Sequence, residues 1–328
     1  MQRLIGAFYA GILALTLGSA TAIPPAAASP YTSLVVFGDS LSDSGNAALV
    51  VGATVPAITG NSYIPSRPYL PFADFSNGKV WASDVASALG VPLQPSFLGG
   101  TNFAVGGATT GGPFPSLVAQ AALYLASSPA SATALYVIEG GGNDARAALG
   151  AIAGGADIAM TLQNTSLSFA ANIASIVTSL KVSGAQHIIV WDTPNIGLAP
   201  AVAATGAASL GSLLATDMNL ALAAALAPDP GVSIFDIYGL GTSIAANPSA
   251  FGLSNVTDAC GAIEGADCSK YEYWDGIHPT AAGHMLIADA FIAQAVPELS
   301  TWAMLVVGFA GVGFMAYRRK SEPALMAA

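Results

Sequence analysis

The segment that decides the fold is Leu34-Val35-Val36-Phe37-Gly38-Asp39-Ser40-Leu41-Ser42-Asp43, near the start of the chain. Its first four residues form a continuous apolar run, which is typical of a strand buried on both faces of a parallel sheet. Ser40 follows after only a glycine and an aspartate, so we expect it in a turn at the strand's carboxyl end. Ligands of open α/β sheets bind at that edge, which makes Ser40 a candidate nucleophile, although serine, aspartate and glycine are also ordinary turn residues.

A second segment, near the other end of the chain, is Trp274-Asp275-Gly276-Ile277-His278-Pro279-Thr280. It places an aspartate three residues before a histidine. A serine hydroxyl is a weak nucleophile at neutral pH and needs a neighbouring base, which in turn needs a third group to hold its tautomer. Ser40, His278 and Asp275 supply all three groups, so the sequence predicts serine hydrolase chemistry. The alternative for Asp275 is a simple turn role before Gly276.

Two glycine-rich segments lie between these ends, at 100–110 (GTNFAVGGATT) and at 139–144 (EGGGND). The second directly follows a strand-like run. Glycine lets a backbone N–H point at a developing negative charge, and an asparagine amide such as Asn143 can add a side-chain donor. Both segments are therefore candidates for an oxyanion hole. The alternatives are a plain turn at Gly106-Gly107 and an Asx turn at Asn143.

In chain order, these four segments resemble the signature blocks of the GDSL, or SGNH, hydrolase family, and the resemblance extends over roughly residues 33–292. It implies a serine esterase or lipase in which Ser40 attacks an ester carbonyl. His278 then moves the proton, and Asp275 orients His278. The amino-acid sequences of these blocks are similar to those of the larger, lipase-type members of the family.

The same resemblance implies an oxyanion hole formed by the Ser40 and Gly107 amides and the Asn143 side chain. Gly106, one residue earlier, is the alternative backbone donor. No metal and no organic cofactor is implied by the family pattern.

Strand-like and helix-like runs alternate through the body of the chain, which is typical of a parallel sheet covered on both faces. Together with the resemblance, this alternation predicts a three-layer α/β/α, flavodoxin-like fold with a central parallel sheet of about five strands. The strand candidates are 33–37, 134–138, 187–191 and 232–237, with a further one around 96–105. The helix candidates are 80–89, 116–127, 157–181, 208–226 and 280–294.

Several other polar residues have a simpler structural interpretation. His187 opens a strand and His284 lies within the last predicted helix, so only His278 combines a loop position with an acidic partner. Four neighbours of Ser40 are expected to be structural. Asp39 and Asp43 are expected to cap the following turn, and Ser42 and Ser44 lie further from the end of the strand.

Composition narrows the class of partner. The chain has 328 residues, of which 53% are hydrophobic and 9% charged, and a formal net charge of −10. Between residues 29 and 295, five basic residues stand against seventeen acidic ones. Such a field repels nucleic acid and anionic membranes, so no nucleic-acid partner is expected.

The α/β-hydrolase class is disfavoured because no Gly-x-Ser-x-Gly elbow occurs in the chain.

The only two cysteines, Cys260 and Cys268, lie close together in a polar loop. Their spacing allows a small disulfide loop, which is typical of proteins outside the cytoplasm; two free thiols are the alternative. Two cysteines alone do not make a metal-ligand set, and no histidine is spaced to join them.

The start of the chain is typical of a secretory signal peptide. Arg3 precedes an uncharged apolar run over residues 4–17, and small residues at 20–22 and 26–28 offer cleavage sites. We therefore assign residues 1–28 to a signal peptide. An uncleaved anchor is the alternative.

The end of the chain combines Val296-Pro297-Glu298, an uncharged apolar segment at 302–317, and Arg318-Arg319-Lys320. This arrangement resembles the PEP-CTERM sorting signal of Gram-negative bacteria. The resemblance implies transient inner-membrane anchoring, processing by an exosortase-type enzyme, and delivery to the cell surface, outer envelope or extracellular matrix. A permanent single-pass anchor is the alternative. We assign residues 296–320 to this signal, and the short tail at 321–328 is not explained by it.

Residues 29–295 are thus expected to form one exported hydrolase domain that acts on esters of lipids or of acylated carbohydrates. The alternatives are a polysaccharide O-deacetylase or acyltransferase with the same fold, and a non-catalytic surface or matrix protein. The apolar loop 53–73 either lines an acyl pocket or is ordinary packing; its aromatic residues, in or beside the loop, are Tyr63, Tyr69, Phe72 and Phe75.

Overall fold

A parallel four-stranded sheet forms the centre of the computed structural model, which describes residues 29–229 and 231–296. The spatial order of the strands follows their order in the chain. Each strand pairs in parallel with the next. The strands are β1 (Ser33–Phe37), β2 (Ala134–Ile138), β3 (His187–Trp191) and β4 (Val232–Phe235).

The helices of the described residues lie on both faces of this sheet. They are α1 (Asn46–Val51), α2 (Trp81–Leu89), α3 (Leu117–Ser127), α4 (Gly142–Ala153), α5 (Ile158–Val182), α6 (Pro200–Ala204), α7 (Ala208–Leu226), α8 (Ile237–Ala246) and α9 (Ala281–Ala295).

Alternate residues of each strand enter two separate apolar cores. Phe37, Tyr136 and Val190 pack with α3, α4, α5 and α7 on one face of the sheet. Their sequence neighbours on the other face pack with α2 and α9. Because both faces are buried, the strands carry continuous apolar sequences rather than alternating ones. The predicted three-layer fold with a parallel sheet is confirmed.

The prediction of a fifth strand around 96–105 is wrong, because Ser96–Leu98 forms a 3-10 turn instead. The following residues do run beside β1: Phe103 N–H bonds to Val36 O at 2.7 Å, and Val36 N–H bonds to Thr101 O at 3.1 Å. Asn102 uses its own N–H and C=O on residues 94 and 96, so the segment makes an isolated bridge to β1 rather than a ladder.

All five predicted helices are confirmed to within about one residue. Four helices of the described residues were not predicted: the short α1 and α6, α4 after β2, and α8 after β4. The strand expected at 232–237 ends at Phe235 because Asp236 caps α8, its carboxylate accepting the N–H of Gly239.

Two short strands, β5 (Asn255–Ala259) and β6 (Tyr271–Tyr273), form a separate two-stranded parallel sheet. The chain between them is closed by a disulfide that joins Cys260 and Cys268. Gly261 N–H bonds to Trp274 O at 2.9 Å, so the cystine loop supports the segment that contains Asp275 and His278.

One described helix, α7, is long and apolar enough to cross a membrane by length and composition alone. Its residues Leu214, Met218 and Leu222 are buried in the core below the sheet. The expected signal peptide at 1–28 lies outside the described residues, as does the expected sorting segment beyond Val296.

Candidate active site

The first three candidate residues meet at the carboxyl edge of the sheet. His278 Nε2 lies 2.8 Å from Ser40 Oγ, and His278 Nδ1 lies 2.8 Å from Asp275 Oδ2. All three side chains are buried. Ser40 stands in the turn after β1, whereas Asp275 and His278 share the loop between β6 and α9. The structure therefore joins residues 238 positions apart in one hydrogen-bonded chain.

The Asp275 carboxylate organises its own loop. Its Oδ1 accepts the N–H groups of Ile277 and His278, both at 2.8 Å. Its Oδ2 faces His278 Nδ1 and also accepts the Tyr69 hydroxyl at 2.9 Å. A carboxylate at Nδ1 favours the tautomer in which Nε2 is free to accept the proton of Ser40. Burial and the Asp275 charge raise the pKa of Tyr69, which therefore remains a donor.

The histidine ring is held by packing as well as by hydrogen bonds. The Phe75 ring lies against it, with 5.2 Å between ring centroids. In the same loop, Gly276 approaches the Tyr63 backbone so closely that a Cβ there would lie 2.4 Å from Tyr63 O. A glycine is therefore required for this loop to dock on the 53–73 segment.

Two backbone amides near Ser40 are candidates for holding an oxyanion. The N–H groups of Ser40 and Gly107 have no hydrogen-bond acceptor among the described residues. The N–H of Gly106 is already bonded to Asp43 Oδ2 at 2.9 Å, which favours Gly107 over Gly106 as the donor. Gly107 has φ +82°, a backbone conformation that favours glycine.

Asn143 lies in the first turn of α4, with its side chain beside the Ser40 turn. Its Nδ2 donates to Asp39 Oδ2 at 3.1 Å and to Ala108 O at 2.9 Å. Its Oδ1 accepts Arg146 Nη1 at 3.1 Å. Because a guanidinium can only donate, Arg146 fixes the amide with its nitrogen toward Asp39. Burial lowers the pKa of Arg146, which faces the acids Asp39 and Asp275.

The residues expected to be structural are placed accordingly. Both oxygens of Asp43 accept backbone N–H groups at the start of α1, as expected for a cap. Asp39 accepts Leu41 N–H but also contacts Asn143. His187 is exposed at the start of β3, and burial lowers the pKa of His284 to about 3. The hydroxyls of the two other serines bond to Glu139 (Ser42) and to Asn102 (Ser44).

Three residues that contact the site were not predicted to act there. Tyr69 bonds to Asp275, Arg146 bonds to Asn143, and Glu139 lies beneath the turn that carries Ser40. Glu139 and Arg146 lie in or next to a glycine-rich segment that the sequence already indicated as functional. No pattern in the sequence linked Tyr69 to Asp275, which is 206 positions away.

An apolar pocket opens beside Ser40 and His278. The sequence left two interpretations of the loop 53–73, an acyl pocket or ordinary packing. The loop does not line this pocket. Tyr69 and Phe75 pack around Asp275 and His278 instead. Two buried carboxyl groups, Asp39 and Glu272, lie in its wall. Glu272 Oε2 has no partner among the described residues, and burial raises the pKa of Glu272 to about 7. The apolar lining includes Ile196, Leu198, Val202, Ile237, Leu240 and Ile244.

Comparison with known proteins identifies the family of this chain. The model of the GDSL-like lipase/acylhydrolase family matches residues 34–291 of the chain. The chain belongs to this family. The matched range contains every residue of the candidate site, from Ser40 to His278.

Esterase EstA of Pseudomonas aeruginosa is 30% identical over 337 residues, covering 85% of this chain and 49% of EstA. A GDSL esterase/lipase of Arabidopsis thaliana is 27% identical over 349 residues, covering 84% of this chain and 88% of the plant protein. A solved lipolytic GDSL-family protein of Veillonella parvula covers 81% of this chain and 99% of its own, with 13% identity and a TM-score of 0.44. The chain spans about half the length of the first curated relatives that it matches.

Proposed function

We propose that this GDSL-family chain is a serine esterase that hydrolyses carboxylic esters through an acyl-enzyme on Ser40. The observation that carries the proposal is the continuous hydrogen-bonded chain from Ser40 Oγ through the His278 ring to Asp275, with 2.8 Å at both steps. This is the distance at which a base can take the proton of a nucleophile.

In the first half-reaction, Ser40 Oγ adds to the ester carbonyl carbon while His278 Nε2 takes the hydroxyl proton. The bond to the alcohol oxygen then breaks, and His278 returns the proton to that oxygen. Asp275 holds the imidazolium in place without taking the proton itself. In the second half-reaction, His278 takes a proton from water, the hydroxide attacks the acyl group, and the departing Ser40 oxygen regains the proton from His278.

Charge that develops on the carbonyl oxygen needs preorganised donors. The proposed donors are the N–H groups of Ser40 and Gly107, which have no acceptor among the described residues, and the side-chain amide of Asn143. Fixed dipoles in a water-poor site stabilise such an oxyanion more than water does, because they need no reorganisation during the reaction.

The lining of the pocket supports an aliphatic group on one side of the ester. Apolar walls next to the nucleophile hold hydrocarbon by removing it from water, at roughly 0.8 kcal/mol per methylene. We therefore propose lipid-like esters as substrates ahead of acetylated carbohydrates. Polysaccharide deacetylation and acyl transfer to another alcohol are the outcomes to compare in assays.

The proposed place of action is outside the cytoplasm. The apolar N-terminal run and the tripartite C-terminal segment support export followed by exosortase-type processing. The Cys260–Cys268 disulfide also supports an oxidising compartment.

A direct comparison tests the proposed activity. Purified wild type and Ser40→Ala are assayed on p-nitrophenyl esters of increasing chain length and on an acetylated polysaccharide. We expect turnover that depends on Ser40 and that is faster on the medium-length esters than on the polysaccharide. Equal turnover by Ser40→Ala would contradict the proposal, and preference for the polysaccharide would contradict the substrate class.

A further inference from the structure

A buried carboxylic acid that the mechanism does not use lies directly beneath the Ser40 turn. Glu139 follows β2 at once, is 1% exposed, and donates its backbone N–H to Phe37 O at 2.9 Å. A buried acid at the carboxyl edge of the sheet needs an explanation, because burial without compensating hydrogen bonds is costly.

One oxygen of Glu139 accepts two hydrogen bonds from the turn. Oε2 lies 3.1 Å from Asp39 N and 2.8 Å from Ser42 Oγ. Trp81 Nε1–H donates to Ser42 Oγ at 3.1 Å, so the hydroxyl proton of Ser42 is free to point at Glu139. Oε2 is therefore an acceptor for both groups.

The Asp39 carboxyl connects this acid to the oxyanion donor. Its Oδ1 accepts Leu41 N–H at 3.0 Å, and its Oδ2 accepts Asn143 Nδ2 at 3.1 Å. Asp39 also faces His278, Asp144 and Arg146.

Two neighbouring buried carboxyl groups do not both ionise at neutral pH. Burial and the charge of Asp39 raise the pKa of Glu139 well above its ordinary value, and Glu139 Oε2 accepts the backbone N–H of Asp39 at 3.1 Å. Burial also raises the pKa of Asp39, to about 6, whereas the Leu41 N–H and the nearby His278 and Arg146 lower it. Burial thus favours the neutral form of Glu139.

We propose that Glu139 is a positioning residue: its Oε2 holds the turn through the Asp39 N–H and the Ser42 hydroxyl, and through Asp39 it fixes the Asn143 amide at the oxyanion site. The inference rests on the proposed function, because it assigns Glu139 a role only in stabilising the oxyanion. Close contacts around Gly38 hold Glu139 and the Ser40 turn in a fixed arrangement. A Cβ on Gly38 would lie 2.6 Å from Glu139 Oε2, and the backbone of Gly38 is bonded on both sides by the Gln120 amide, at 2.9 Å and 2.8 Å.

Substitution by glutamine mimics the neutral acid. In Glu139→Gln, the amide oxygen can still accept the bonds from the Asp39 N–H and the Ser42 hydroxyl. In Glu139→Leu, the Asp39 N–H and the Ser42 hydroxyl both lose their acceptor. The two variants have similar volume and differ in the hydrogen bonds that the proposal requires.

The test is a double-mutant cycle with Asn143→Ala, read as kcat and KM on p-nitrophenyl butyrate. We expect Glu139→Gln to keep kcat within about threefold of wild type, and Glu139→Leu to lower it about 10–100-fold with KM changed by less than about threefold. In the Asn143→Ala background, Glu139→Leu should cost less than about threefold, because its effect passes through Asn143.

A matched control is Asp192→Asn, which alters the buried acid directly after β3. Asp192 accepts Tyr238 N–H at 3.0 Å, away from the Ser40 turn. Any effect of this variant should be the same with and without Asn143. Glu139→Leu with wild-type kcat, or with a full loss in the Asn143→Ala background, would overturn the proposal.

The glutamine variant keeps the proposal falsifiable if the leucine variant does not fold. Because Glu139→Gln keeps the acceptor oxygen, a tenfold or greater loss of kcat in this folded variant would overturn the proposal. The proposed function fails separately: it is overturned if Ser40→Ala retains turnover, whereas Ser40-dependent turnover with independent effects of Glu139 and Asn143 overturns only the positioning role.

Discussion

Tyr69 donates its hydroxyl to Asp275 Oδ2 at 2.9 Å, the same oxygen that faces Nδ1 of His278. A hydrogen bond to a buried charged group contributes about 1.5–3 kcal/mol, so Tyr69→Phe should lower the free energy of unfolding by about that amount. It should also lower kcat modestly, because Asp275 loses one of the groups that orient it. Urea unfolding and ester kinetics check both effects. Tyr63→Phe is the control, since the Tyr63 hydroxyl has no partner among the described residues; an equal loss there would contradict the assignment.

Removal of the side-chain oxyanion donor should act on the transition state. Asn143→Ala is expected to lower kcat by about 10²–10³-fold with a much smaller change in KM, because the proposed donor stabilises charge that develops on the carbonyl oxygen in the transition state. Steady-state kinetics on p-nitrophenyl butyrate measure the split. A variant changed in KM alone would show that Asn143 binds the ground state instead.

Glu272 should make the stability of the protein depend on pH. Its pKa is about 7 in the folded state and 4.5 ordinarily, so as pH rises from about 4.5 the unfolded chain ionises first and the folded state loses stability until about pH 7. Glu272→Gln lacks this loss, and its advantage over wild type should grow by up to about 3 kcal/mol between pH 4.5 and pH 8. Urea unfolding across this range measures the difference. The exposed Glu264→Gln should show no such trend, and a flat difference for Glu272→Gln would contradict the role of burial.

The segments that contain Ser40 and the Asp275–His278 pair could be predicted from the sequence, because the residues of each segment lie within a few positions of one another. The apolar run of β1 fixes where the chain reaches the carboxyl edge of the sheet, and Ser40 follows within three residues. Asp275 and His278 lie three residues apart, and the Asp275 carboxylate binds the same loop that carries the histidine. The alternation of apolar runs fixed the fold class for the same reason, since burial on both faces demands it.

Features that depend on distant parts of the chain could not be read. The helix α4 was missed because three consecutive glycines have low helix propensity, and its first turn is held by tertiary contacts of Asn143 and Asp144. The pocket walls at 196–202 and 237–244 look like ordinary core residues in the sequence. The pairing of Glu139 with Asp39 joins residues 100 positions apart.

The proposed sorting signal predicts the mature end of the protein. If an exosortase-type enzyme processes the tail, the protein from its native host should end close to Pro297-Glu298 and lack the apolar segment at 302–317. Intact-mass measurement of that protein checks this, with a recombinant chain made without the enzyme as the control. A mass that includes Ala328 would rule out processing and favour a permanent anchor.

Covalent labelling tests the central claim most directly, that Ser40 is a nucleophile activated by His278 and Asp275. A fluorophosphonate is incubated with the wild type, Ser40→Ala and His278→Ala, and the adduct is located by peptide mass spectrometry. We expect one adduct, on Ser40, which is absent from Ser40→Ala and forms at least about 10²-fold more slowly in His278→Ala. An adduct on another residue, or undiminished labelling of the Ser40→Ala protein, would contradict the account.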